Sequence, residues 1–408
     1  MHIWEKLTKQ EINNRVFGAL SNNVNYNSET ILGVPGTNLD DKVFYSDAEF
    51  LKEAPFLSTM IHNPNHIGCH TLGSSESFFH GTHTIERELV EICASDILKA
   101  TPNSCDGYVA SGGTEANLQA IWIYRNYFMQ QYGATNNEIV ILCSTDSHYS
   151  MDKGGNMFCI DVQKVNVDFE SREITDNSVT AAVEEAKLNG KKYFIVIANM
   201  MTTMFGSVDS VDTYVNVLKR LNCEYKIHVD GAFGGFYFPF TIESQPVLDL
   251  RNAEISSFTL DAHKMAQAPY GTGIFIIRKG FIQYANTEQA SYVEGEDYTL
   301  IGSRSGANAI AVWMILMTHG PFGWQEKIFI LQKRTDWMCN ELDKLGIDYY
   351  RHPQSNIITM KANQISHEIA KEFWLVPDNH DNPTWFKIVV MDHVTIDKLS
   401  LLVDKIKG

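Results

Sequence analysis

Ser256-Ser257-Phe258-Thr259-Leu260-Asp261-Ala262-His263-Lys264, followed by Gly271-Thr272-Gly273 and the apolar run 274–277, is the stretch on which the fold of this chain turns. One β-prone run leads into Asp-Ala-His-Lys and a second leads away, so a lysine sits between two strands expected to be buried. Burial lowers a lysine's pKa and makes its amine a nucleophile. Taken alone, such a His-Lys pair is most often a surface lysine in a strand–strand loop. Three further stretches ask for the same chemistry.

Ile227-His228-Val229-Asp230-Gly231-Ala232-Phe233-Gly234-Gly235 reads as a strand ending in an aspartate, then small residues. A carboxylate at a strand's C-terminal end can pair with a protonated ring nitrogen, and small residues let a flat ring lie close. At about 4 Å and an effective dielectric near 20, such a pair is worth roughly 4 kcal/mol. That raises a ring nitrogen's pKa by about 3, enough to keep a pyridine protonated at neutral pH. Ala110-Ser111-Gly112-Gly113-Thr114-Glu115-Ala116-Asn117 opens a long helical pattern, and two glycines with a hydroxyl residue at a helix start make a phosphate cradle. Asp146-Ser147-His148-Tyr149-Ser150 follows a strand at 139–143 and offers an imidazole to stack on a flat ring.

Ser-Gly-Gly-Thr-Glu-Ala-Asn, Ser-x-His-Tyr-Ser, His-Val-Asp-x-Ala-Phe-Gly-Gly, Asp-x-His-Lys and Gly-Ser-Arg-Ser-Gly occur in that order. Over residues 60–320 this set resembles the group II pyridoxal-phosphate-dependent amino-acid decarboxylases of fold type I. Each motif alone is weak; five in order are specific. The resemblance implies an α/β fold with a mostly parallel central sheet, helices on both faces, and a small α/β C-terminal domain. It implies pyridoxal 5'-phosphate as cofactor and a homodimer with active sites at the subunit interface. It assigns Lys264 as the cofactor's covalent carrier, Asp230 as partner of its ring nitrogen, and His148 and Ala232 to opposite ring faces. Gly113, Thr114 and the second subunit's Ser303 go to the phosphate, with His263 and Thr203 also in contact with cofactor. Tyr292, or alternatively Tyr298, returns a proton to the substrate's α-carbon.

Composition narrows the field. The 408 residues carry 33 basic and 49 acidic side chains, a net charge of −16. With no basic excess to neutralise phosphates, nucleic acid and anionic membrane are not the expected partners. Seven irregularly spaced cysteines without a C-x-x-C point to a reducing cytoplasm rather than a disulfide framework. The start lacks a signal peptide's apolar core, and no run of about 18 apolar residues predicts a spanning helix. The P-loop, the dinucleotide fingerprint and the nucleophile elbow are all missing.

Along the chain, residues 1–60 read as a helix and an irregular arm, 61–300 as a large cofactor-binding domain and 301–408 as a small C-terminal domain. His62, His66 and His70 have helical metal-ligand spacing, but Pro64 and Gly68 interrupt the helix, so no metal is expected. By resemblance they line the substrate pocket with Ser74, Ser75 and His83. A helix is predicted over 84–99 with Ile85, Leu89, Ile92 and Ile97 buried and Glu86, Glu88 and Glu91 solvated. Helices are predicted over 114–131, 179–188, 214–221, 307–318, 321–345 and 395–406. Strands are predicted at 193–198, 226–229, 347–350, 357–360 and 386–390. Continuous apolar strands alternating with helices predict a parallel sheet covered on both faces. Ligands sit at the carboxyl ends of such strands, where Gly113, His148, Thr203, Asp230 and Lys264 all fall. In 199–209, Met201 stands where the family carries a glycine.

The expected reaction is removal of the α-carboxylate from an L-amino acid, giving an amine and carbon dioxide. Acidic, aromatic and imidazole substrates all stay open, and Arg304 is a candidate for a substrate carboxylate or the dimer contact. The alternatives are another carbon–carbon lyase or an aldehyde-forming decarboxylase on the same fold, and a non-catalytic binding protein.

Overall fold

In chain order the strands are β1 (Asn65–Ile67), β2 (Cys105–Ala110), β3 (Ile139–Ser144), β4 (Asp161–Val165), β5 (Tyr193–Asn199), β6 (Glu224–Gly231), β7 (Ile255–Asp261), β8 (Gly273–Arg278) and β9 (Ser303–Ser305). Then come β10 (Tyr349–Tyr350), β11 (Ile357–Lys361), β12 (Val376–Pro377) and β13 (Trp385–Val389). This computed structural model describes residues 3–24, 39, 44–69, 71, 77–241, 248–285 and 297–408. Seven strands form one mostly parallel sheet in the order β2-β8-β7-β6-β5-β3-β4. β8 runs antiparallel to both its neighbours, whereas β3 is parallel to β4 and β5. With the helices that alternate with its strands, the sheet gives the α/β fold expected from the sequence.

The described residues pack as two compact units. The first comprises Met1–Asn136, Lys226–His228 and Asp249–Gly323. Its opening helix, Lys9–Ser21, starts at a capping box in which Thr8 and Glu11 satisfy each other's backbone N–H groups. Its long helix, Gly113–Tyr132, packs on β7 and β8. There the alternate β7 residues Ser257 and Thr259 are buried because polar partners meet them. Ser257 Oγ lies 2.5 Å from Tyr124 Oη and 2.7 Å from His228 Nδ1, while Thr259 Oγ1 donates to Asn117 at 2.8 Å. Hydrogen bonding is what makes that polar interior tolerable.

The second unit comprises Asn137–Tyr225, Val229–Leu248 and Trp324–Gly408. The parallel strands β3, β4 and β5 are joined through helices Ser150–Phe158 and Asp176–Leu188, the latter capped by Thr175 and Ser178. At the chain's end, β10-β11-β13-β12 form an antiparallel sheet. Met338, Leu342, Met360, Phe386, Leu402 and Val403 fill the core between it and its helices.

Three sequence expectations change. The predicted 84–99 helix begins earlier, at His80, and beyond Glu91 widens into a π turn over Ile92–Ile97. Glu86 is not solvated: it is 1% exposed, on the same face as Thr82, Leu89 and Val90. The helices predicted either side of 318–321 abut directly, parted at Gly320, whose φ of 64° only glycine adopts freely, with Pro321 next.

Candidate active site

In the first unit, β7 ends at Asp261 and β8 begins at its cross-strand partner Gly273, so Lys264 sits in the connecting loop. Ala262 N donates to Thr272 O at 2.8 Å and closes the loop's base. The Lys264 side chain is 35% exposed, not buried as the two apolar strands suggested, because the loop carries it beyond the sheet. Its Nζ lies 3.2 Å from Asp261 Oδ2, and His263 Nε2 lies 3.5 Å from the same oxygen. Burial lowers the His263 pKa; Asp261 opposes this, and Lys264 adds to the lowering. The His263 Nδ1 is buried with no hydrogen-bond partner among the described residues.

The glycine turn lies against this loop. A side chain on Gly112 would meet His263 Cε1 at 3.4 Å, and one on Gly273 would fall 2.5 Å from Gly112 Cα. Two strands therefore approach as closely as their backbones allow, just where the Gly113–Tyr132 helix begins. Gly112, at its N-cap, provides no side-chain cap, so the first N–H groups are free of one. Twenty residues of aligned dipoles end there, favourable for an anion. Gly113 is buried and Thr114 half-buried. Ser303 is exposed on β9, where Asn65 Nδ2 donates to its Oγ at 3.2 Å.

In the second unit, Asp230 is 7% exposed at the end of β6, and its Oδ1 accepts from Ala232 N at 3.0 Å. The backbone N–H of Met200 donates to Asp230 O at 2.9 Å. His148 is half-buried, accepts from Ser150 N at Nδ1 (3.2 Å) and packs 4.1 Å from the Tyr149 ring. A nitrogen that accepts carries no proton, which assigns the ring proton to Nε2 in the neutral form. Asn199 Nδ2 reaches Ser144 Oγ at 3.1 Å and Ser147 Oγ at 2.8 Å, tying the turn before His148 to the end of β5. Thr203 is exposed, and its carbonyl accepts from Lys387 Nζ at 2.9 Å. Met201, in place of the family's glycine, holds φ 70°. That left-handed conformation explains the glycine elsewhere and costs methionine roughly 1–2 kcal/mol.

Several expected pocket residues are elsewhere. His66 is fully buried, with Nδ1 2.6 Å from Glu86 Oε2 and Nε2 2.8 Å from Thr82 Oγ1. His83 is buried against it, ring centroids 4.5 Å apart. Arg304 is 8% exposed and committed to Glu86, Val109 O and Gly68 O within its own chain, so it is not available to a substrate carboxylate. His70, Ser74, Ser75 and Tyr292 lie outside the described residues. Tyr298 is half-buried, and its carbonyl accepts from Gln119 Nε2 at 2.7 Å. The sequence reading missed Glu86 and Asn199. The helical spacing of Glu86 from Thr82 and Leu89 did signal the buried face; Asn199 carried no local signal.

By residue type, the part-exposed amine and uncapped helix start of the first unit, and the buried carboxylate and half-buried imidazole of the second, are groups that suit pyridoxal phosphate. Comparison with known proteins agrees. The pyridoxal-dependent decarboxylase conserved domain matches residues 84–347. A tryptophan decarboxylase of Clostridium sporogenes is 51% identical over 405 residues, spanning 99% of this chain and 97% of that one. A probable L-tyrosine/L-aspartate decarboxylase of Methanothrix thermoacetophila is 29% identical, spanning 81% of this chain and 82% of its own. Among solved structures, the L-methionine decarboxylase of Streptomyces sp. 590 superposes with a TM-score of 0.69 at 20% identity, covering 84% of this chain and 85% of that one, a likeness of fold. The chain therefore belongs to the pyridoxal-dependent decarboxylase family: it is a pyridoxal 5'-phosphate enzyme that decarboxylates an L-amino acid to the corresponding amine and carbon dioxide.

Proposed function

We propose that the preferred substrate is L-tryptophan and the product tryptamine. The observation that carries this is the near full-length relationship, at 51% identity, to a tryptophan decarboxylase. The more distant tyrosine/aspartate relatives, at 29% identity, make those amino acids the natural competitors.

Bound cofactor supplies the electron sink for the bond that breaks. Lys264 would hold the cofactor through its amine. Asp230 holds the proton on the ring nitrogen, its carboxylate oriented by Ala232 N. His148 and Ala232 would hold the cofactor's ring between them. Gly113 and Thr114 bind the phosphate at the helix start, with Ser303 from a second subunit, while His263 and Thr203 line the cofactor's surroundings. Tyr292 delivers the proton to the α-carbon after carbon dioxide leaves, with Tyr298 as the alternative donor. A homodimer follows from the Ser303 role. Seven free cysteines without a regular framework suit a reducing cytoplasm. No helix among the described residues is long and apolar enough to cross a membrane.

The test is an amine-product assay of the cofactor-loaded protein on tryptophan, tyrosine, phenylalanine, aspartate, glutamate and histidine. Tryptamine should form with the highest kcat/KM. A higher kcat/KM on any other amino acid would remove the tryptophan proposal.

A further inference from the structure

Among the described residues β2 stands at the edge of the seven-stranded sheet, with β8 as its only strand neighbour. Edge strands leave alternate N–H and C=O groups without a ladder partner. Here side chains supply the missing ladder. Gly107 N donates to Thr71 Oγ1 at 3.2 Å, and Gly107 O accepts from Cys69 Sγ at 3.2 Å. Two residues on, Val109 N donates to Glu86 Oε1 at 2.8 Å and Val109 O accepts from Arg304 Nη1 at 3.1 Å. Two further on, Ser111 N donates to Glu115 Oε2 at 2.6 Å. The next residues are Gly112 and Gly113.

The middle rung is the charged one. Glu86 Oε1 accepts from both Arg304 Nη1, at 2.5 Å, and Val109 N, and its Oε2 accepts from His66 Nδ1. Arg304, Val109 N and His66 each donate to this buried carboxylate. An amide in its place would turn an NH2 toward one of them and leave the Arg304 charge uncompensated in a site that is 8% exposed. Arg304 is also the middle residue of β9, flanked by Ser303 and paired with His66 on β1. One carboxylate thus holds both the strand that runs into the glycine turn and the strand that carries Ser303.

We propose that Glu86 is a positioning residue for the cofactor's phosphate, acting through Val109 on the Gly112–Gly113 helix start and through Arg304 on Ser303. This rests on the phosphate roles proposed above for Gly113, Thr114 and Ser303. Glu86 touches neither substrate nor cofactor; it sets where the phosphate-binding N–H and hydroxyl groups stand.

The experiment strips the full-length protein of cofactor and measures Kd for pyridoxal phosphate and for pyridoxal, which lacks the phosphate. Wild type should bind pyridoxal phosphate far more tightly. Glu86→Gln should raise its Kd roughly tenfold or more, the scale of one charge-assisted hydrogen bond, with the pyridoxal Kd changed less than about twofold. Arg304→Lys keeps the charge but loses the forked donor, should show the same selective loss, and decides the matter where Glu86→Gln gives no folded protein. Equal weakening toward both ligands, or an unchanged Kd for pyridoxal phosphate, overturns the proposal. A wild-type protein with no preference for pyridoxal phosphate over pyridoxal would instead overturn the underlying phosphate assignment.

Discussion

Asn199 Nδ2 donates to Asp209 Oδ2 at 2.6 Å, and the same oxygen accepts from Asn199 N at 2.9 Å. Asp209 is 2% exposed. Burial pushes its carboxyl up to about 7 from 3.8, the two Asn199 bonds opposing and Asp146 adding to the rise. A carboxyl raised in this way binds its proton more tightly in the folded chain than in the unfolded one. Its stabilising contribution is full below pH 4, declines as pH rises, and is gone above about pH 7. Asp209→Asn keeps an acceptor for Asn199 and cannot ionise. From pH 4 to 7, wild type should therefore lose on the order of 4 kcal/mol of unfolding free energy relative to Asp209→Asn. Denaturant titrations of both proteins across this range check it; parallel pH profiles would show that Asp209 does not titrate there.

Arg172 pairs with Asp146, two residues before His148, with side chains 9% and 8% exposed, and its guanidinium lies 3.9 Å from the Phe205 ring centroid. Arg172→Met should cost roughly 3–5 kcal/mol by leaving a buried carboxylate without its cation. Adding Asp146→Asn should recover part of that loss. Denaturant midpoints of the single and double variants measure both effects, and strict additivity would deny the coupling.

Gly273→Ala places a methyl 2.5 Å from the Gly112 backbone, where nothing flexible can yield. The glycine turn must shift. Cofactor affinity should fall by at least about tenfold, the cost of one misplaced phosphate hydrogen bond. Equilibrium dialysis with pyridoxal phosphate reads this directly, and unchanged retention would show that the turn tolerates the methyl.

Lys264→Ala removes the amine proposed to carry the cofactor. The purified variant should lack the visible absorbance of wild type and should form amine at less than about one-thousandth of its rate, as expected when a covalent participant is lost. A variant that keeps both colour and turnover would move the carrier role to another residue.

Tyr292→Phe should slow amine formation by roughly a hundredfold or more, the usual contribution of a positioned proton donor, with KM little changed. Carbonyl products should be assayed beside the amine, since an intermediate that is not protonated can be diverted. Normal kinetics would transfer the role to Tyr298.

Much of the fold was legible because its signals are local. The apolar runs that became β3, β5 and β8 lie within a residue or two of their predicted bounds, whereas the helices Asp176–Leu188 and Val211–Arg220 begin three residues ahead of theirs and Ser150–Phe158, rich in glycine and polar residues, has no predicted counterpart. The Gly320-Pro321 break was visible in the same way, since glycine freely turns where other residues cannot and proline cannot continue a preceding helix, whatever surrounds them. β4 was missed because Asp161–Val165 mixes charged and apolar residues; its pairing with β3 makes it a strand. β1 and β9 were missed because three residues each carry no periodicity, and each exists only as the other's partner.

The candidate site divides along the same line. Lys264, Asp230, His148 and Gly113 could be singled out from short motifs, because the chemistry demands those side chains beside small residues at the ends of strands. Glu86 and Arg304 could not be assigned, since they are 218 positions apart and a buried ion pair has no signature in either neighbourhood. Residue types and their order along the chain determined the α/β class, the family and the cofactor. Tertiary structure alone decided that Glu86 meets Arg304, that Arg304 is spent within its own chain and that Lys264 stands clear of the sheet. Burial and pairing depend on distances between remote segments, and no local pattern contains those distances.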